Sequence, residues 1–72
     1  MGVSKMMLGT KIKEIRLKKN MKQVELAKMA GISNTYLSDI EKGRTKPSIE
    51  AFLRIAEALD IKDLNIFLKK VT

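Results

Sequence analysis

The chain has 72 residues and a mass of 8.1 kDa, the scale of one domain with a small core rather than a large catalytic cleft. It contains neither Cys nor His, which excludes disulfides, thiolate zinc sites, a thiol nucleophile and an imidazole base. Fifteen Lys and Arg against eight Asp and Glu give a net charge of +7 and a pI near 9.9, so a polyanionic partner is expected.

The excess charge is confined to one part of the chain. Residues 1–46 hold eleven Lys and Arg against four acids, whereas residues 47–72 hold four of each. The first part is suited to meet a polyanion, the second to pack or pair. No apolar run approaches a membrane span of about 20 residues. The first residues lack the apolar stretch of a signal peptide. A cytoplasmic location is therefore expected.

Helical periodicity runs throughout. Residues 1–7 are expected to form a flexible arm. Leu8, Ile12 and Ile15 then fall on one helix face, which predicts a first helix over 8–20 ended by Asn20. A second is predicted over 23–30, with Leu26, Ala27, Met29 and Ala30 inward and Gly31 as its stop. Lys22 stands at its N-cap, where it accepts no hydrogen bond, but Glu25 can reach back to the capping backbone. Ser33 caps a third helix, 34–42, with Leu37 and Ile40 inward and Gly43 as terminator. A basic loop, Arg44-Thr45-Lys46-Pro47, leads to Ser48 as the next cap. The fourth helix, 49–59, is expected to bury Phe52, Leu53, Ile55, Ala56 and Leu59. A fifth is expected from about Lys62, with Leu64, Phe67, Leu68 and Val71 inward. No strand-like alternation and no repeat is present.

Residues 23–40 form one unit of two short helices joined at Gly31. Ala27 is small enough for the next helix to cross closely, and Leu26, Ile32, Leu37 and Ile40 fill the angle. That spacing is a helix-turn-helix. The stretch KQVELAKMAGISNTYLSDIEKGRTKPSIEAFLRIAEAL resembles the phage-repressor and Cro-type helix-turn-helix domain of the XRE family. The shared features are Gln at the start of the second helix, Leu-Ala three residues on, Gly31, a Ser-capped helix ending Ile-Glu-Lys-Gly, and the Pro-Ser start of the next helix. The likeness covers residues 8–68.

The resemblance implies an all-α, compact five-helix, lambda-repressor-like domain whose third helix enters the DNA major groove. Gln23 matches the family's phosphate-contacting glutamine. Asn34 and Thr35 match its base-reading positions, with Ser38 and Asp39 one turn later. Independently, with Leu37 and Ile40 inward, these four positions face outward and carry short polar side chains able to reach base edges. Asp39 is repelled by phosphate unless it meets a cytosine amine or a neighbouring Arg. Lys22, Ser33, Tyr36, Lys42, Arg44, Thr45 and Lys46 are the further expected phosphate contacts; for Arg44, Thr45 and Lys46 the alternative is a solvated basic loop. The resemblance also implies an ion pair between Arg16 and Glu41. Members of this length usually bind as dimers, and Ile66, Phe67 and Val71 are the candidate dimer contacts in a C-terminal helix that otherwise covers its own core.

The expected function is sequence-specific binding of double-stranded DNA by a small transcriptional regulator, a repressor. The alternative is an antitoxin or partner-binding regulator that works chiefly through protein–protein contact. RNA association lacks an aromatic stacking platform, since only Tyr36, Phe52 and Phe67 are aromatic. Membrane-surface binding would require the apolar stripe of the first helix, which the core needs. An enzyme is not expected, nor a cofactor, nor a metal site.

Overall fold

In the computed structural model, which describes residues 4–67, four α-helices follow one another. They are α1 (Lys5–Lys18), α2 (Gln23–Ala30), α3 (Asn34–Glu41) and α4 (Ile49–Ala58). A short 3-10 turn, Leu64–Phe67, follows. No helix is long and apolar enough to cross a membrane among the described residues.

Local chemistry sets the helix ends. Ser4, Ser33 and Ser48 each accept a hydrogen bond from the backbone N–H three residues on, of Met7, Tyr36 and Ala51, at 3.1, 3.0 and 3.1 Å. Each satisfies one N–H that has no partner inside its helix. Lys22 has no such acceptor, and there the Glu25 carboxylate takes the Lys22 N–H at 2.8 Å instead. The half of the capping box that can form does form, and α2 begins at Gln23.

All four α-helices stop in one way. A left-handed residue follows each, at Asn20, Gly31, Gly43 and Asp60. The residue after it turns back to donate to the last turn: Met21 to Arg16, Ile32 to Ala27, Arg44 to Asp39 and Ile61 to Ala56, at 2.9–3.1 Å. This is the Schellman closure, in which otherwise unpaired carbonyls find donors.

Ile12, Leu26, Leu37, Ile40, Ile55 and Leu59 are fully buried and form the centre of the core. Phe52 and Phe67 meet edge to face at a centroid separation of 4.9 Å beneath the 3-10 turn. The helices α1 and α3 cross at Gly9. A Cβ there would overlap the carbonyl oxygen of Ile40 and stand 3.0 Å from that of Glu41. The close approach needs a residue without a side chain, and the backbone opposite cannot rotate away.

Several expectations are corrected. The helix starts at Lys5 rather than Leu8, because Ser4 caps it and Met6 packs its backbone against Gly43. Residues 5–7 are therefore part of α1 and not of an arm; residues 1–3 lie outside those described. Among the described residues the expected fifth helix is a 3-10 turn at Leu64–Phe67, where the Asp63 carboxylate accepts the Asn65 N–H at 3.0 Å and offers the backbone a local bond that competes with an α-helix. Leu68 and Val71 lie outside the described residues. Leu53 points outward, since it stands about 200° around α4 from Ile55, at about 100° per residue. Met29 and Leu64 are likewise exposed.

Candidate nucleic-acid interface

The helix-turn-helix is α2, the Gly31 turn and α3. Ala27 and Ala30 of α2 are buried, and their small side chains let α3 pack close. Leu37 and Ile40 anchor α3 inward. That orientation decides what α3 shows to solvent. Asn34 and Thr35 in the first turn are exposed, and Ser38 and Asp39 in the second are half-buried. The four expected base-contacting residues thus share the outer face. At about 1.5 Å rise per residue, the eight residues of α3 span about 12 Å, the length of three to four base pairs at about 3.4 Å.

Basic side chains border this face. Lys22 is exposed at the start of α2, and Lys42, Arg44 and Lys46 are exposed in the segment after α3. Thr45 is half-buried, and Ser33 is exposed with its hydroxyl oxygen engaged as the α3 cap. Asp39 has the neighbour its position requires: its carboxylate lies 3.7 Å from Arg44 Nη1. The same Schellman closure that ends α3 folds Arg44 back over Asp39. The acid is offset locally, and the face keeps its positive balance.

Tyr36 is placed differently from a free phosphate donor. Its hydroxyl oxygen accepts the Ser48 N–H at 3.0 Å. The residue ties α3 to the start of α4 and fixes the two ends of the basic loop. Its own O–H hydrogen remains available to an acceptor.

Beneath the face lies a buried polar cluster. Arg16 Nε donates to Glu41 Oε2 at 2.8 Å, and Arg16 Nη2 donates to Glu41 Oε1 at 3.0 Å. This is a bidentate pair between α1 and the end of α3, both residues 7% exposed. Arg16 Nη1 also donates to the Met21 carbonyl at 2.9 Å, which holds the α1–α2 turn. Gln23 joins the cluster: its Nε2 donates to Glu41 Oε1 at 3.0 Å. Sequence reasoning missed this bond and the Tyr36–Ser48 bond. Their partners stand 18 and 12 positions apart and leave no linear signal.

Of the candidate dimer contacts, Ile66 is exposed and Phe67 is in the core at 5% exposure, so Phe67 is removed from that role. Its ring is committed to Phe52. Val71 lies outside the described residues.

A sequence model of the family described as Helix-turn-helix matches residues 12–66. The chain belongs to the helix-turn-helix family. The domain is 51% identical over 59 residues to the ImmF control region 10 kDa protein of Bacillus phage phi105, covering 82% of this chain and 64% of that protein. It is 42% identical over 57 residues to the immunity repressor protein of the same phage, covering 79% and 40%. The domain therefore spans between two fifths and two thirds of the length of these curated relatives. Among solved structures it is similar to the restriction-modification controller protein C.Esp1396I, described as a tetramer in complex with its natural 35 base-pair operator. That likeness has a TM-score of 0.81 and 29% identity, and covers 94% of this chain and 88% of that one.

Proposed function

We propose that this helix-turn-helix domain binds double-stranded DNA in a sequence-specific manner and acts as a transcriptional repressor, with α3 in the major groove. The observation that carries the reading is the outer face of α3: short polar side chains on a helix of groove length, bordered by Lys22, Lys42, Arg44 and Lys46. The phage immunity repressor and the operator-bound controller protein, similar over most of this chain, support it.

In this reading Asn34, Thr35 and Ser38 contact base edges. Asn pairs with adenine through two bonds, and the Thr methyl packs on thymine. Asp39 either accepts from a cytosine amine or stays with Arg44. Lys22, Gln23, Ser33, Tyr36, Lys42, Arg44, Thr45 and Lys46 face phosphate, which sets register without reading sequence. Four cations at phosphates give a salt slope of about −3.6 per domain, from about −0.9 per contact.

The domain acts as a homodimer. Ile49, Leu53, Leu64 and Ile66 are exposed apolar side chains on the neutral part of the chain. A dimer on a palindromic site needs its two α3 helices in successive major grooves, about 34 Å apart, and these side chains are the apolar surface offered for the pairing.

The experiment is selection from a random duplex pool at about 0.15 M salt. A palindromic consensus with half-sites about one helical turn apart is expected. An enriched half-site without symmetry refutes the dimer. No enrichment, with binding that vanishes as salt rises, refutes specific recognition and leaves the charge alone.

A further inference from the structure

We propose that Glu41 is a positioning residue for Gln23, so that the buried ion pair beneath the interface also sets the grip of α2 on the DNA backbone. The two observations are the 3.0 Å bond from Gln23 Nε2 to Glu41 Oε1 and the burial of Glu41 against Arg16. The role rests on the DNA-binding reading above.

The chemistry is one of orientation. A side-chain amide carries a donor end and an acceptor end of nearly equal shape. A carboxylate only accepts, so Glu41 forces the NH2 end of Gln23 toward itself and excludes the flipped amide. One N–H is used on Glu41, and the second stays on the same nitrogen. Gln23 as a whole is half-buried and its bond to Glu41 is only partly buried, which puts the residue at the edge of the surface. A phosphate is also acceptor-only. It gains from a presented N–H and is repelled by a presented carbonyl oxygen. Glu41 thereby selects the orientation that a phosphate requires.

Glu41 can hold this position because Arg16 holds it. Both carboxylate oxygens are engaged by the guanidinium, which is itself fixed by the Met21 carbonyl. The chain of bonds runs from α1 through the end of α3 to the first residue of α2. Without Glu41, the Gln23 amide is free to flip and to change rotamer, and it must be ordered when DNA arrives. Ordering one long side chain at an interface weakens binding by about threefold to tenfold.

The test compares five proteins on the duplex enriched from the pool: the unaltered chain, Gln23→Ala, Arg16→Met with Glu41→Gln, Arg16→Met with Glu41→Leu, and this last pair with Gln23→Ala added. Both paired variants remove the ion pair, and only the Gln variant keeps an acceptor for Gln23. Thermal melts establish that each is folded at the assay temperature. The expected result has three parts. The Glu41→Gln pair, whose amide can accept from Gln23 but can also flip and has lost the hold of Arg16, keeps part of the affinity that the Glu41→Leu pair loses. The Glu41→Leu pair loses about threefold to tenfold, as Gln23→Ala does, and ethylation of one phosphate ceases to interfere. Adding Gln23→Ala to the Glu41→Leu pair costs nothing further. Equal affinity of the folded Glu41→Leu pair and the unaltered chain overturns the role, and so does a Gln23→Ala loss of equal size in both backgrounds. A readout on the unaltered, DNA-free protein needs no variant: the Gln23 side-chain amide protons should show a bonded, singly oriented amide by NMR. An averaged, solvent-like pair of signals overturns the role even if every variant unfolds. If no duplex is enriched at all, the DNA-binding reading falls and this role falls with it; intact DNA binding with additive substitutions removes this role alone.

Discussion

Truncating Glu41 to Ala leaves the Arg16 guanidinium, whose side chain is 8% exposed, without its counter-charge. Two charge-assisted bonds at 2.8 and 3.0 Å are lost, and only the Met21 carbonyl at 2.9 Å remains. Removing one partner from a buried pair typically destabilises by about 3–5 kcal/mol. A core of this size contributes a net stability of about 3–5 kcal/mol. The two figures are equal within their range, so the Glu41→Ala chain is expected to lie near or beyond its unfolding midpoint at 25 °C. Urea and thermal melts followed by far-UV circular dichroism read this directly. The paired change Arg16→Met with Glu41→Leu removes both charges and fills the space with apolar groups, so it should recover all or more of the loss. The reasoning is refuted if Glu41→Ala melts within about 0.5 kcal/mol of the unaltered chain, a loss expected of a surface site. It is refuted equally if the paired variant is no more stable than the single one, since burial of an unmatched charge would then not be the cause.

Four further outcomes are expected. Gly9→Ala gains about 1 kcal/mol of helix propensity, but it meets the α3 carbonyls and should be destabilised overall by about 1–2 kcal/mol in a urea melt. Lys22→Ser supplies the missing cap of α2 and should stabilise by about 1 kcal/mol, while the salt slope of DNA binding weakens by about 0.9. Asn34→Ala should cost about 1–3 kcal/mol on the selected duplex and relax preference at one or two base pairs, read by repeating the selection. Arg44→Ala should weaken all duplexes alike and lower the salt slope by about one unit; loss confined to one base pair would instead place Arg44 on a base edge.

What the sequence discloses and what it hides follow physical lines. Glu25, Ser33, Ser48, Gly31 and Gly43 act on neighbours a few residues away, so the starts of α2, α3 and α4 are legible to the residue. The first turn of α1 is not. Met6 and Met7 are exposed there and draw no apolar stripe, and the turn is held by a tertiary contact with Gly43. Gly9 reads locally as a weak point in a helix, and only the crossing with α3 shows why it is needed. The apolar residues after Asp60 suggest a fifth helix, but over 64–67 the chain takes the tighter turn, beside an Asx bond from Asp63 that offers the backbone a local alternative. In the site, the outward face of α3 follows from periodicity alone. The bonds that orient it from below join residues 12–25 positions apart, and no local pattern records them.

Those hidden bonds share a logic that small size imposes. A large protein can keep the residues that hold its fold apart from those that orient its surface. Here α2 and α3 have eight residues each, and each must give one face to the core and another to the interface. The residues between the two faces therefore serve both. Glu41 closes the ion pair with Arg16 and holds Gln23. Tyr36 packs against the core and fixes the start of α4 across the basic loop. Arg44 ends α3 through its backbone and offsets Asp39 through its side chain. Gln23 is thereby one bond away from a buried carboxylate, so this side chain has little ordering left to do when a ligand arrives. The same economy makes the interface sensitive to stability. A substitution at Glu41 cannot be assigned to binding until its effect on folding has been measured, which is why the acceptor-keeping and acceptor-lacking variants must be compared with each other and not only with the unaltered chain.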